Sequence, residues 1–84
     1  MNILFSKKAW DDYRYWVVND KVTVKRINQL IDEVRRTPFT GIGKPTALKH
    51  QLAGYWSRRI TDEHHLIFAV EEHQLVVIAA RHHY

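Results

Sequence analysis

The chain has 84 residues, no cysteine and a formal net charge of +4. A chain of this length buries only about 60–65% of its unfolded surface, so we expect one domain with a small, aromatic-rich core and no second domain. Disulfides, a thiolate nucleophile and a cysteine-based zinc site are excluded. Because no apolar run approaches the ~18 residues of a membrane span and no signal peptide is evident, we expect a cytoplasmic protein without a membrane partner.

The first half of the chain predicts a short strand followed by two helices. Residues 2–5 are apolar and typical of a strand, and Ser6 is a good N-cap for a helix over residues 7–18. Asp20 is the predicted N-cap of a second helix. That helix is predicted to end at Thr37, because the residue before a proline avoids the α conformation. Two helices with so short a break predict an αα-hairpin.

Apolar spacing predicts which helix faces are buried. On the first helix, Trp10, Tyr13 and Trp16 are interpreted as core rather than as a platform for RNA bases. On the second helix, charged residues such as Glu33 are predicted to face outward. The predicted buried stripe of that helix consists of Val24, Ile27, Leu30, Ile31 and Val34.

The second half predicts a loop followed by a sheet. Residues 38–47 contain two Gly and two Pro and predict a loop, which lacks the spacing of a Walker phosphate loop. A short strand is predicted near Leu48, and three further strands are predicted within residues 55–61, 63–70 and 75–84. The predicted fold class is therefore α+β with the order β-α-α-β-β-β(-β): an antiparallel twisted sheet with two N-terminal helices packed on one face.

Arg, His and Tyr residues stand at the ends of the last three predicted strands. Antiparallel pairing is expected to bring Arg59 and His65 near the terminal His83 and Tyr84, and Lys49 can reach the same end. This set suits RNA cleavage by transesterification, which needs a base, cations for the phosphorane and an acid for the leaving oxygen. His83 is then the acid, and Lys49 and Arg59 hold the phosphate. The ordinary alternative, solvated or carboxylate-paired side chains, stays open on spacing alone.

The histidine pairs 64–65 and 82–83 do not predict a metal site. Neighbouring residues of a strand point to opposite faces, so neither pair chelates by itself. One histidine from each pair could meet across the hairpin, but a third ligand would have to be found. We therefore expect neither a metal nor another cofactor. The basic surface fits RNA, an acidic partner protein or plain solubility.

Linked motifs along essentially all 84 residues closely resemble those of the YoeB toxins, part of the RelE-like group of toxin–antitoxin systems. The motifs are Trp10-Asp11-Asp12-Tyr13-x-Tyr15-Trp16, Arg35-Arg36-Thr37-Pro38-Phe39, Gly41-x-Gly43-Lys44-Pro45, Leu48-Lys49-His50, Gly54-Tyr55-Trp56-Ser57-Arg58-Arg59-Ile60 and His83-Tyr84.

The resemblance implies a single toxin domain over residues 1–84 with a RelE-like, microbial-ribonuclease-like sheet. It implies a metal-independent endoribonuclease that enters the ribosomal A site, cuts the mRNA there and stops translation. The implied partners are therefore the ribosome with its rRNA, the mRNA, and a YefM-like antitoxin whose C-terminal segment covers the active site. A homodimer is also implied.

The resemblance also assigns roles to residues of this chain. His83 matches the family's general acid, Tyr84 its terminal aromatic residue and Glu63 a carboxylate near the site. Four residues match positions assigned to RNA binding: Lys44, Lys49, His50 and Arg59.

Two positions depart from the family pattern. Thr46 stands where the family has the Glu expected as general base, and His65 stands where it has an Arg that stabilises the phosphate. A Thr hydroxyl is too weakly basic to replace the Glu, and His lacks the permanent charge and fork of Arg. If it is not compensated, loss of the general base costs roughly 10²–10⁴-fold in rate. Loss of the charge-stabilising donor costs roughly 10²–10³-fold.

Four interpretations of these departures stay open. The protein is an attenuated or inactive toxin, natural or engineered, or it uses His65 as the base in a two-histidine scheme with His83. Alternatively, the ribosome supplies enough orientation for the base to matter little. The fourth interpretation is a binding module that keeps antitoxin and ribosome binding without the chemistry.

Overall fold

The computed structural model describes residues 1–82, so the predictions for His83 and Tyr84 lie outside the described residues. The elements in chain order are β1 (Asn2–Phe5), α1 (Lys7–Asn19), α2 (Lys21–Arg36), β2 (Thr46–Ala47), a 3-10 turn (His50–Leu52), β3 (Trp56–Arg59), β4 (His65–Glu71) and β5 (Gln74–Ala79).

Both predicted helix N-caps are confirmed. The Ser6 hydroxyl accepts a hydrogen bond from the amide of Ala9, and the Asp20 carboxylate accepts from the amides of Val22 and Thr23. These bonds occupy amides that have no partner within their own helix, so each helix begins where its cap stands. The predicted end of the second helix is also confirmed, since Thr37 is its C-cap.

The five strands form one sheet in the order β1-β5-β4-β3-β2. Strands β3, β4 and β5 make the predicted antiparallel meander. The sheet is nevertheless mixed, because β1 runs parallel to β5, with Asn2 opposite Gln74 and Phe5 opposite Val77. Strand β5 pairs with β4 along one edge and with β1 along the other. The Ser6 hydroxyl, which follows β1, donates to the carbonyl of Ile78 and fixes that junction.

Both helices and the sheet share one cluster of buried side chains, as the sequence predicted. The aliphatic stripe of α2 is buried from Ile27 to Val34, and Val24 packs partly buried against it. The sheet contributes residues of β4 and β5 to this cluster, including the fully buried Phe68. The helices therefore cover the face of the sheet that carries the core.

Two predictions of helix facing are wrong. Trp10 is 50% exposed, because its ring packs beside Phe5 and Tyr13 at the edge of the core instead of inside it. Glu33 is only partly exposed and points towards the sheet, because its carboxylate binds Arg58, which is fully buried. Of the predicted aromatic group, Trp16 is buried and Tyr13 packs partly buried against the core.

The last strand ends earlier than the sequence predicted. Strand β5 stops at Ala79, so the alternation expected over residues 75–84 does not continue along the described residues. The reason is that side chains of helix α1 form hydrogen bonds with the backbone of Ala80. The Asp12 carboxylate accepts from the Ala80 amide at 2.9 Å, and the Trp16 indole donates to the Ala80 carbonyl at 2.8 Å.

Within residues 1–82, neither helix has the length and apolar character that crossing a membrane requires.

Candidate functional site

A groove of about 240 Å³ lies where the short edge strand β2 meets the ends of β3 and β4. It contains two of the cationic and imidazole groups that the sequence placed at the strand ends, Arg59 and His65, together with Lys44 of the preceding loop. Its lining residues are Gly43, Lys44, Thr46, Leu48, Ser57, Arg59 and His65.

Strand pairing brings these side chains together. Thr46 of β2 lies opposite Ser57 of β3, and Arg59 of β3 lies opposite His65 of β4. Directly opposed residues of an antiparallel pair have their Cβ atoms about 4.5–5.5 Å apart and share one face of the sheet. The guanidinium of Arg59 and the imidazole of His65 are therefore presented side by side.

The loop before β2 closes the groove. The Arg59 amide donates to the Gly43 carbonyl at 2.6 Å, which draws the loop onto the end of β3. Gly43 has a φ of +82°, and a Cβ there would lie 3.1 Å from the Arg59 carbonyl oxygen. Only glycine fits this combination of conformation and close approach without strain. Lys44 follows directly and also lines the groove.

The groove suits a phosphate-bearing ligand better than a metal. Lys44 and Arg59 are exposed cations and His65 is a half-buried imidazole. None of the described lining residues is a carboxylate. In addition, no set of three or more His, Cys, Asp and Glu side chains among residues 1–82 is arranged to hold a metal ion.

Thr46 is engaged in its own loop. Its hydroxyl donates to the Lys44 carbonyl at 2.8 Å, a local bond that stabilises the turn into β2. Among the described lining residues, His65 carries the imidazole, the side chain most often used as a general base.

The predicted site residues are thus only partly assembled in the groove. Lys44, Thr46, Arg59 and His65 line it, whereas Lys49 and His50 lie in the 3-10 turn region and Glu63 in the β3–β4 turn, all three exposed and outside the lining. His83 and Tyr84 lie outside the described residues.

Arg58 organises the loop that leads into the groove. Its side chain is completely buried, and its guanidinium donates to Glu33 Oε1 at 2.7 Å and to the Thr40 carbonyl at 2.6 Å. Further bonds run to the carbonyls of Thr37 and Ile42. One guanidinium therefore joins α2, the loop over residues 37–42 and β3.

The pKa of Glu33 lies below its ordinary value of 4.5. The main cause is the hydrogen bond that its carboxylate accepts from the Ile42 amide at 2.7 Å, and the bond from Arg58 adds to it. Both contacts favour the charged form of the carboxylate. Glu33 is therefore a structural partner of Arg58.

The chain after β5 is held by a second group of contacts. The His82 amide donates to His64 Nδ1 at 2.8 Å, and the His65 amide donates to the His82 carbonyl at 2.7 Å. The rings of His64 and His82 are 5.5 Å apart, so one histidine of each pair does meet across the hairpin, as the sequence allowed. The pKa of His64 is lowered from its ordinary value, first by burial and then by the positive charges of His82 and Arg81.

Sequence reasoning missed three residues that shape this region, namely Asp12, Arg58 and His64. For Asp12 a signal existed, because it lies three residues after the buried Ala9 and four before the buried Trp16. For Arg58 the alternation along β3 placed it on the face opposite to Arg59, which is the face that packs against α2. His64 carried no comparable signal, since its partner is a backbone amide.

Comparisons with known proteins agree with this architecture over the whole chain. Residues 5–84 match the model of a family described as the YoeB-like toxin of the bacterial type II toxin-antitoxin system. Toxin YoeB of Escherichia coli K12 is 55% identical over 84 residues, covering 100% of both chains.

Solved structures give the same result. The YoeB/ParE toxin from Agrobacterium tumefaciens is 46% identical, with a TM-score of 0.97 and full coverage of both chains. A YoeB dimer from Staphylococcus aureus is 44% identical, with a TM-score of 0.93, and covers 100% of this chain and 98% of its own. The same S. aureus toxin, with the same values, has been solved in a heterotetrameric YoeB-YefM toxin-antitoxin complex.

Fold and comparisons thus define a small α+β protein of the class of bacterial toxin–antitoxin toxins. Because the family model and the curated relatives match along essentially the whole length, the chain belongs to the family of YoeB-like toxins of bacterial type II toxin–antitoxin systems.

Proposed function

We propose that this protein is a metal-independent endoribonuclease that cuts mRNA in the ribosomal A site and so inhibits translation in the cytoplasm. The observation that carries the proposal is the groove, in which the Arg59 guanidinium and the His65 imidazole are paired across β3 and β4 beside Lys44. Membership of a toxin family supports the biological role, and the net charge of +4 favours binding to RNA.

The proposed reaction is an in-line transesterification. The His65 imidazole takes the proton of the 2′-hydroxyl, and the 2′-oxygen forms a bond to phosphorus. Arg59 and Lys44 stabilise the negative charge of the phosphorane. The bond between phosphorus and the 5′-oxygen then breaks, and His83 gives its proton to that oxygen. The products are a 2′,3′-cyclic phosphate and a free 5′-hydroxyl.

Supporting roles are proposed for the remaining predicted residues. Tyr84 stacks on a base or orients the phosphate, and Glu63 contributes a carboxylate near the site. Lys49 and His50 are exposed next to β2, where they can contact RNA that extends beyond the groove. Phosphate contacts of this kind position RNA rather than select its sequence.

We also propose a YefM-like antitoxin as the partner and a homodimer as the state of the free toxin. The S. aureus relatives, one solved as a dimer and one as a YoeB-YefM complex, support both. The basic groove supplies the charge that an acidic antitoxin segment would cover.

Cleavage on programmed ribosomes tests the proposal. Purified protein is added to ribosomes carrying a defined mRNA, and the new ends are mapped by primer extension. We expect cuts in the A-site codon that disappear in His83→Ala and become roughly 10²–10⁴-fold slower in His65→Ala, the range for loss of a general base. No cutting by the parent, at doses where the double variant Thr46→Glu/His65→Arg cuts, would contradict catalysis by this chain.

One observation favours a second candidate function, a protein that binds antitoxin and ribosome without cutting. The Thr46 hydroxyl is tied to the Lys44 carbonyl, and no described lining residue is a carboxylate. This alternative predicts tight antitoxin binding without growth arrest on expression. An arrest that His83→Ala abolishes would rule it out.

A further inference from the structure

We propose that His64 is a positioning residue for the proposed nuclease: it holds the backbone of His82, the residue immediately before the proposed acid His83. The inference rests on the proposed function for its catalytic consequence. The contact itself is testable in the resting protein.

Both backbone polar groups of His82 are bound by neighbouring residues of one segment. The His82 amide donates to His64 Nδ1 at 2.8 Å, and its carbonyl accepts from the His65 amide at 2.7 Å. Backbone hydrogen bonds therefore hold the last described residue on both sides of its Cα atom. His82 has a φ of +63°, a left-handed conformation that a non-glycine residue keeps only when its surroundings impose it.

Trp16 of helix α1 packs against the His64 ring and supports this contact. The edge of the Trp16 ring meets the His64 imidazole with centroids 4.8 Å apart, so the imidazole is packed on one side as well as hydrogen-bonded on the other. The same Trp16, together with Asp12, binds both backbone groups of Ala80. Residues 80 and 82 are therefore fixed from two elements, and the stretch that precedes His83 is held in one conformation.

The contact requires the neutral form of His64. Because Nδ1 accepts a hydrogen bond from an amide, the ring proton lies on Nε2. Protonation of Nδ1 would turn it into a donor facing the donor N–H of His82, so the hydrogen bond would be lost. Glu63 of the β3–β4 turn and Asp12 of α1 favour the charged imidazole, whereas burial, His82 and Arg81 disfavour it. The net effect lowers the pKa of His64, which keeps it an acceptor at neutral pH.

A matched pair of substitutions distinguishes loss of the hydrogen-bond acceptor at residue 64 from loss of side-chain volume there. In His64→Asn the side-chain oxygen stands near the position of Nδ1 and can still accept from the His82 amide. In His64→Leu the space beside Trp16 stays filled, but the acceptor is lost. His73→Leu, at an exposed histidine in the turn between β4 and β5, is the control for loss of an imidazole elsewhere.

The direct test is a nitrogen–nitrogen scalar coupling measured by ¹⁵N NMR on the parent protein. We expect a coupling between the His82 amide nitrogen and His64 Nδ1, observed at neutral pH and lost when His64 is protonated. Absence of this coupling in the folded parent at neutral pH overturns the inference, and it does so whether or not the protein cuts RNA.

The catalytic consequence is measured on ribosomes, with the parent protein as the reference. We expect His64→Leu to lower kcat by roughly 10²-fold with KM little changed, the usual effect of misplacing a catalytic group by about 1 Å. His64→Asn should restore the larger part of kcat, and His73→Leu should leave it unchanged. A His64→Leu protein that is folded and retains the full kcat overturns the positioning role, whereas a parent protein without any cleavage refutes the proposed function instead.

Discussion

At the scale of single residues, two adjacent arginines of β3 have opposite environments. Arg58 is completely buried and binds Glu33 together with loop carbonyls, whereas Arg59 is exposed and lines the groove. Strand alternation accounts for their pointing to opposite faces. Alternation alone does not indicate that Arg58 is the buried one. Burial of its guanidinium depends on a carboxylate and carbonyls that lie 16–25 residues away in the chain.

Removal of the buried guanidinium is expected to be strongly destabilising. In Arg58→Met the loop carbonyls and Glu33 lose their partner, so we expect the free energy of unfolding to fall by roughly 3–5 kcal/mol. The measurement is urea denaturation followed by Trp fluorescence. Arg36→Met, at an exposed arginine of α2, is the matched control and should stay within about 0.5 kcal/mol of the parent. Equal stability of the two variants would contradict the structural role of Arg58.

At the scale of elements, the sequence predicted the features that depend on residues close together in the chain. It did not predict those that depend on contacts between residues far apart in the chain. The caps of both helices and the meander of β3, β4 and β5 follow from residues a few positions apart. The parallel pairing of β1 with β5 joins residues about 72 positions apart, and no local pattern specifies it. The groove was predicted in part, since Arg59 and His65 are cross-strand partners, but the contact of Gly43 with β3 depends on a loop conformation.

Ser6 lies at the junction of three elements, so its loss is expected to weaken more than one of them. Its hydroxyl caps α1 by accepting from Ala9 and donates to the carbonyl of Ile78 in β5. We expect Ser6→Ala to lower the free energy of unfolding by about 1–2 kcal/mol, the upper part of the range for an N-cap. Ser6→Thr keeps the hydroxyl and should lose less. Chemical denaturation of the three proteins side by side decides this, and an alanine variant as stable as the parent would refute it.

At the scale of the whole molecule, one buried cluster joins both helices to the sheet. That the chain is a single toxin domain over residues 1–84 stays a prediction, which this shared cluster supports. Within residues 1–82, stability and the arrangement of the proposed site are linked, because Arg58 and His64 hold the segments that border the groove and the chain end.

Stability of the whole molecule is expected to fall as the pH drops below neutrality. The pKa of His64 is lowered from its ordinary value of 6.5, so between those two values the unfolded state binds more protons than the folded state. The free energy of unfolding is therefore unaffected by His64 above pH 6.5 and decreases as the pH falls from there to the lowered pKa. Glu33 and Asp20, whose pKa values are also lowered, lose their stabilising effect only at more acidic pH, below 4.5 and 3.8.

A pH series of denaturation curves for the parent and His64→Asn checks this expectation. Because asparagine does not titrate, the decrease between pH 7 and 5 should be smaller in the variant, and all other histidines cancel in the comparison. Curves that run parallel over this range would contradict a lowered pKa at His64.

The pairing of β1 with β5 also constrains how the protein can be made. Residues 2–5 leave the synthesising ribosome first, yet the strand that binds them, residues 74–77, is translated some 70 residues later. Until then β1 is an unpaired apolar segment with exposed backbone groups, and the sheet to which Ser6 anchors α1 does not exist. Folding is therefore delayed until β5 has emerged. A protein that we propose attacks ribosomes thus cannot complete its groove during most of its own synthesis.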